Sequence, residues 1–356
     1  MAEEKISIEQ LQASISGKGY DWEAGVTSVS ELSEEEQNFL LGLPVTEEEL
    51  EGMKEAIEAS VETFSYPTSV DWRNHAGKDW TTPIRDQSSC ASGMDFSVLA
   101  AMESRAKIQK NNPNLSIDLS EAYLLFCGCG KCCSTGWYFD PALNFIKNTG
   151  VADEKCYPYR PVDQDCKPCP DWKNRVWKIQ DWSSIVNVSQ RKQNLAASGP
   201  LIGGMAVYQD FLYYKGGVYR HTSGKLSGYS PKTIVGYDDN QKCWICKNSW
   251  GTGWGENGWF KIAYGQCDID TRFNMYAIGK IIPAIEKGCG YATYALIDYY
   301  FAGTSRILWA YAGNRWRYRR IAKHEVAGIV KLLNESKRLY VCWNGNQITF
   351  VRGWKN

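Results

Sequence analysis

Three side chains stand where their types and spacing permit chemistry. Ser230 and Lys232 lie two apart in a segment that reads as a strand, so both point to one face. Asp95 falls in the first turn of a helical segment whose apolar residues recur over Phe96–Ala106, where the helix dipole favours a carboxylate. A second group is the cysteines, thirteen in all, seven of them between Cys127 and Cys169. Cys127-Gly-Cys129-Gly-Lys-Cys132-Cys133 and Cys166-Lys-Pro-Cys169 offer zinc-ligand spacings, but the adjacent Cys132 and Cys133 fit a disulfide framework better. No metal and no cofactor are expected. An odd total leaves at least one thiol without an intramolecular partner.

The elements that position these groups follow from pattern. Residues 1–65 are acidic and helix-prone, with Thr46-Glu-Glu-Glu a capped helix start running to about Ser60. Residues 66–283 carry most of the Trp, Gly and Cys. Their first half reads helical. The second half reads as strands: Lys232–Tyr237, Cys243–Lys247 and Gly258–Ile262, divided by Gly/Asn/Asp turns. A helical half followed by a strand half is an α+β pattern. Residues 284–356 read as a small β-rich module of unassigned role. Its two hairpins turn at 312–314 and 344–346, with a helix near 323–336 between them.

Lys+Arg and Asp+Glu number 40 each, so no global field points to nucleic acid or an anionic membrane. No apolar run approaches about 18 residues, and no membrane span is expected. The start MAEEKISIEQ lacks a secretory pattern, while the cysteine content points to an extracellular or other oxidising compartment. A monomer is expected.

Four spaced motifs carry a resemblance. They are Tyr66-Pro-Thr-Ser-Val-Asp-Trp-Arg, Pro83-Ile-Arg-Asp-Gln-Ser-Ser-Cys90, Gly216-Gly-Val-Tyr-Arg-His221 and Lys247-Asn-Ser-Trp-Gly-Thr-Gly-Trp-Gly-Glu-Asn-Gly-Trp-Phe260. In order and spacing they resemble the papain-like cysteine proteases over residues 66–283. The resemblance implies a two-subdomain fold, a helical half and an antiparallel β half with a cleft between, and a pro-segment over residues 1–65 that runs through that cleft. It places Gln87 as the oxyanion donor and Asn248 as the residue that orients the histidine, with Trp250 and Trp254 shielding that bond. It makes Cys90 the family's upstream disulfide cysteine, paired with Cys133, and draws Cys127 and Cys166 into the same framework.

The reacting pair departs from the family. Cys-Gly-Ser-Cys-Trp-Ala-Phe-Ser appears as Cys90-Ala-Ser-Gly93-Met94-Asp95-Phe-Ser97, so Gly93 stands at the nucleophile's place. His-Ala-Val appears as Ser230-Pro231-Lys232, so Ser230 stands at the histidine's place. His221 matches the ordinary histidine nine residues upstream, and His75 and His324 read as solvated surface residues. Losing either member of such a pair costs on the order of 10⁶ in turnover, so peptide hydrolysis is not expected.

The departures fall in two windows while Gln87 and Asn248 remain. That pattern implies a reacting centre replaced as a unit, by redesign or in a natural peptide-binding pseudoprotease. Gly93, Met94 and Ser230 each remove volume, so a pocket for a peptide or small-molecule ligand is expected. Three readings of the cluster stay open: an Asp95–Lys232 ion pair between helix and strand, Asp95 as a general base with Lys232 or Ser230 at an oxyanion, and Lys232 as an imine-forming amine or as the activator of Ser230. Pro231 removes a ladder N–H and is expected at the first residue or edge of its strand.

Overall fold

Capping decides how the N-terminal third begins. Ser7 opens the helix Ile8–Gly17, and Ser33 and Thr46 form reciprocal capping boxes with Glu36 and Glu49 ahead of Glu34–Asn38 and Glu47–Glu58. The structure, a computed structural model, describes residues 6–284, 287–299, 306–313, 315–336, 338–345 and 347–354. It divides into two units, one from Met1–Pro170 with Trp177–Ile282, the other from Asp171–Val176 with Pro283–Asn356.

In the first unit the central helix Gly93–Gln109 is buried on nearly all sides. Small residues at Ala100, Ala101 and Ala106 let neighbours close on it, and Ser97 and Ser104 return their hydroxyls to Gly93 and Ala100 carbonyls at 2.6 and 2.9 Å. Those bonds satisfy polar groups that burial would otherwise penalise. The helix Phe139–Asn148 packs nearby through Ala142, Leu143 and Ile146.

The strand half is an eight-stranded sheet. Its main path runs Trp182–Ile185, Met275–Ile278, Leu201–Tyr208, Leu226–Asp238, Cys243–Lys247, Trp259–Ala263 and Val218–Tyr219, with Ser69–Asp71 added beside Leu226–Asp238. All pairings are antiparallel except Trp259–Ala263 with Val218–Tyr219. The strands read from sequence are present, but the central one is longer than its pattern. It begins at Leu226, and Pro231 lies inside it, opposite Gly204. The first-residue reading of Pro231 is corrected. The ladder to Cys243–Lys247 starts only at Thr233, so the missing N–H falls where that side of the strand is unladdered.

The N-terminal segment belongs to the same core. Leu11, Ile15, Trp22, Val29 and Leu40 are buried in one cluster with Phe211, Trp250 and Trp254. Glu23–Ala24 pairs with Tyr214–Gly216, and Thr27 Oγ1 donates to the Leu212 carbonyl at 2.6 Å.

The second unit is a six-stranded sheet ordered Lys287–Ala292, Arg338–Asn344, Gln347–Trp354, Arg315–Arg320, Arg306–Ala312 and Tyr294–Tyr299. One face buries Leu308, Ala310, Val341, Trp343 and Ile348, with Ile329, Leu332 and Leu333 of the helix Val326–Glu335 packed on them. Arg317 is buried there. It donates to the Ala312 and Gly345 carbonyls and lies 4.1 Å from the Trp343 ring centroid.

Candidate active site

The front of the central helix is fixed covalently. Cys90 is bonded to Cys133, and Ala91 N donates to the Cys133 carbonyl at 2.8 Å. Cys127–Cys166, Cys129–Cys132 and Cys156–Cys169 complete four bridges within residues 90–169. The cluster is thus a disulfide framework. Gly93 is the first helical residue and is buried. A Cβ placed there would lie 3.0 Å from Gln87 Oε1, 3.4 Å from Pro231 Cγ and 3.5 Å from the Leu41 carbonyl oxygen.

The expected pocket is therefore not open. Pro231 and the chain at Leu41 close on Gly93. Met94 is fully buried and presents no surface to a ligand.

On the facing strand Ser230 and Lys232 share one face, as alternation requires. Lys232 Nζ donates to Ser230 Oγ and to Asn248 Oδ1, each at 2.8 Å, and sits 4.3 Å from the Trp250 ring centroid. The side chain is fully buried, and burial drives its pKa well below the ordinary lysine value. Trp250 covers the amine directly, while Trp254 supports Trp250 from 5.0 Å and donates to the Phe211 carbonyl. Asn248 Nδ2 is buried without a partner.

The ion-pair reading fails. Asp95 does not pair with Lys232; its carboxylate accepts from Trp137 Nε1 at 3.2 and 3.4 Å. Asp95 is fully buried, and burial raises its pKa well above the carboxylate range against the opposing pull of the indole. The hydrogen bonds of the Asp95 carboxylate go to Trp137, and those of Lys232 to Ser230 and Asn248. Trp137, 42 residues away, is the partner that sequence reading missed, and no local pattern links the two.

Gln87 is held at both ends of its amide. Oε1 accepts from Ser249 Oγ at 2.7 Å, and Nε2 donates to the Phe39 carbonyl at 2.6 Å and the Cys90 carbonyl at 3.1 Å. The next carbonyl, Leu40, accepts from Ser230 Oγ at 3.0 Å and Trp250 Nε1 at 3.2 Å. Residues 39–43 thus lie across Gln87, Gly93 and Ser230. Farther along, Gly42 crosses Gly136 so closely that a Cβ on Gly136 would stand 2.0 Å from the Gly42 oxygen, and one on Gly42 2.4 Å from the Ala91 oxygen. Both have positive φ, and neither position admits a side chain.

The histidines lie elsewhere. His221 Nδ1 is 3.1 Å from Asp210 Oδ1 and its ring stacks on Tyr208 at 3.8 Å. His75 and His324 are exposed. Free thiols among the described residues are Cys243, Cys246 and Cys267, all buried in the strand half, where burial raises the pKa of each, that of Cys243 to about 12. A neutral thiol is a poor nucleophile.

The papain family cysteine protease model matches residues 66–277. "Cysteine proteinase 1" of Entamoeba histolytica is 33% identical over 253 residues, covering 67% of this chain and 76% of that one. "Cathepsin B-like CP3" of Giardia intestinalis is 30% identical over 271 residues, 70% of this chain and 87% of that one. Among solved structures, procathepsin B S9 from Trypanosoma congolense superposes with a TM-score of 0.62 at 24% identity, over 77% of this chain and 98% of the other. Digestive procathepsin L2 from Tenebrio molitor gives 0.60 at 26%, over 77% and 89%.

Proposed function

The chain belongs to the papain family of cysteine proteases, and from that premise we propose that it is a proteolytically silent member whose cleft is held by its own N-terminal segment. Its scaffold is that of a cysteine endopeptidase, with Gly93 at the nucleophile position and Ser230 at the histidine position. The observation that carries the reading is the bond from Lys232 to Asn248. In the family this asparagine orients an imidazole; here the Lys232 amino group takes its acceptor. Cys90, three residues before Gly93, cannot substitute, because its sulfur is committed to Cys133. The segment 39–43 acts as a retained pro-segment, bonded to Gln87 and Ser230. The four disulfides fit an oxidising compartment.

The test is hydrolysis of a fluorogenic peptide amide by the full chain and by protein nicked within residues 60–65. We expect no turnover that a thiol-directed inhibitor abolishes. Inhibitor-sensitive turnover traced to this chain would sink the reading.

A second reading rests on the same amine. Lys232 is desolvated, has no carboxylate partner and touches Ser230 Oγ, a setting that lets an amine attack a carbonyl or take a hydroxyl proton. Borohydride trapping of a small aldehyde at Lys232, lost in Lys232→Met, is the outcome it requires.

A further inference from the structure

The balance of 40 basic and 40 acidic residues conceals a segregation. Residues 283–356 hold 12 Lys/Arg against 4 Asp/Glu, a net +8, so the remainder of the chain carries −8. The face of the six-stranded sheet opposite the helix Val326–Glu335 is also rich in rings.

Direct cross-strand pairing puts those rings in rows. Tyr294, Tyr311 and Trp316 are mutual partners across three strands, with centroids 6.4 and 5.6 Å apart. Trp309 pairs with Tyr318 at 5.4 Å, and Tyr291 with Tyr340 at 5.3 Å. Their neighbours Leu308, Ala310 and Arg317 are the buried ones, which fixes the rings on the opposite face. Tyr294 is 65% exposed and Trp316 43%. Alternation sets Arg320 with Trp316 and Tyr318, and Arg338 and Arg352 with Tyr340 and Phe350; Arg338 lies 5.7 Å from the Tyr291 ring centroid.

We propose that this face binds single-stranded nucleic acid, with bases stacked on the Tyr294–Tyr311–Trp316 row and phosphates met by Arg320, Arg338 and Arg352. The two components of the surface select this partner together. The rings of the row stand at 63° and 70° to one another, so each can offer its own face to an unstacked base, and arginines interleaved with them match a phosphate chain. A sulfated glycan supplies the charge without planar rings, and a neutral glycan lacks the charge. The inference replaces the expectation of no nucleic-acid partner, which rested on the charge of the whole chain.

The experiment is fluorescence anisotropy of a labelled oligothymidine titrated with the full chain at low salt. Saturable binding is expected, with log K falling against log salt at a slope of about −2 for three neutralised phosphates. Trp316→Ala should weaken it by about tenfold or more, and Arg320→Glu should weaken it and flatten the slope. If Trp316→Ala proves unstable by thermal melting, Tyr294→Ala reads the same contact. The proposal is overturned if anisotropy does not rise, if loss of either ring leaves affinity unchanged, or if a sulfated oligosaccharide or anionic vesicles bind in preference to the oligonucleotide. None of these outcomes depends on the state of the protease cleft.

Discussion

Lys232 Nζ and Asn248 Oδ1 lie 2.8 Å apart inside a site from which water is excluded by Trp250. The bond decides which substitutions can revive the cleft and how the molecule responds to pH.

Rebuilding the reacting pair requires more than two residues. Gly93→Cys with Ser230→His leaves the Lys232 amino group on Asn248 Oδ1, so the new imidazole has no orienting acceptor. Adding Lys232→Val should raise kcat/KM toward a fluorogenic peptide by about 10²-fold over the double variant, the usual worth of a well-placed base. Equal activity of double and triple variants would refute the role given to Lys232.

Burial makes Lys232 a pH-dependent liability. Between its lowered folded pKa and the ordinary value of about 10.4, the unfolded chain binds more protons than the folded one. Stability therefore rises with pH across that window, and the penalty is complete below it. Lys247, lowered to about 8 by burial, adds in the same direction. Lys232→Met should raise the thermal midpoint at pH 7 and shrink its rise between pH 7 and 10. A variant that melts lower at pH 7 contradicts this account.

Asp95 has the opposite sign. Its folded pKa is raised, so the folded state holds the extra proton. That contribution is fully present below the unfolded value of about 3.9 and is lost as pH climbs through the folded pKa. Asp95→Asn keeps an acceptor for Trp137 and carries no charge. It should stabilise the protein at pH 7 by about 1–3 kcal/mol, and its denaturation midpoint should vary less with pH. Chemical denaturation at pH 4 and pH 7 measures both.

Ser230→Ala removes the hydroxyl that joins Lys232 to the Leu40 carbonyl, leaving Trp250 as that carbonyl's remaining donor. Backbone amides in residues 39–43 should exchange faster with deuterium, and stability should fall by about 1–2 kcal/mol. Unchanged exchange in that stretch would mean the serine does not hold the segment.

How much of this was legible in the sequence depends on range. The strands 232–237, 243–247 and 258–262 follow from alternation and turn residues, and the helix after Thr46 from its capping box, because those signals are local. The family resemblance carried the fold, since motifs such as that starting at Lys247 keep their spacing. Asp95 and Trp137 find each other across 42 residues, which no periodicity records. An Asp95–Lys232 pair is one of three readings the sequence leaves open, and Lys232 bonds Asn248 instead. Pro231 reads as the first residue or edge of a strand, yet the strand runs through it from Leu226 because only one side is laddered there. The loss of large side chains near Gly93 implied a pocket, and the prolyl ring and the backbone of Leu41 fill it.

The four bridges of the first unit all fall between Cys90 and Cys169, whereas its strand half holds buried thiols in Cys243, Cys246 and Cys267. The two halves of the first unit therefore answer differently to their surroundings. Made in a reducing cytoplasm, the protein would keep its sheet while the 127–169 region lost its crosslinks, and the anchor under Gly93 would go with them. Oxidation after folding would then have to sort these eight cysteines among the thirteen of the chain, so the yield of native protein should depend on where the chain is synthesised.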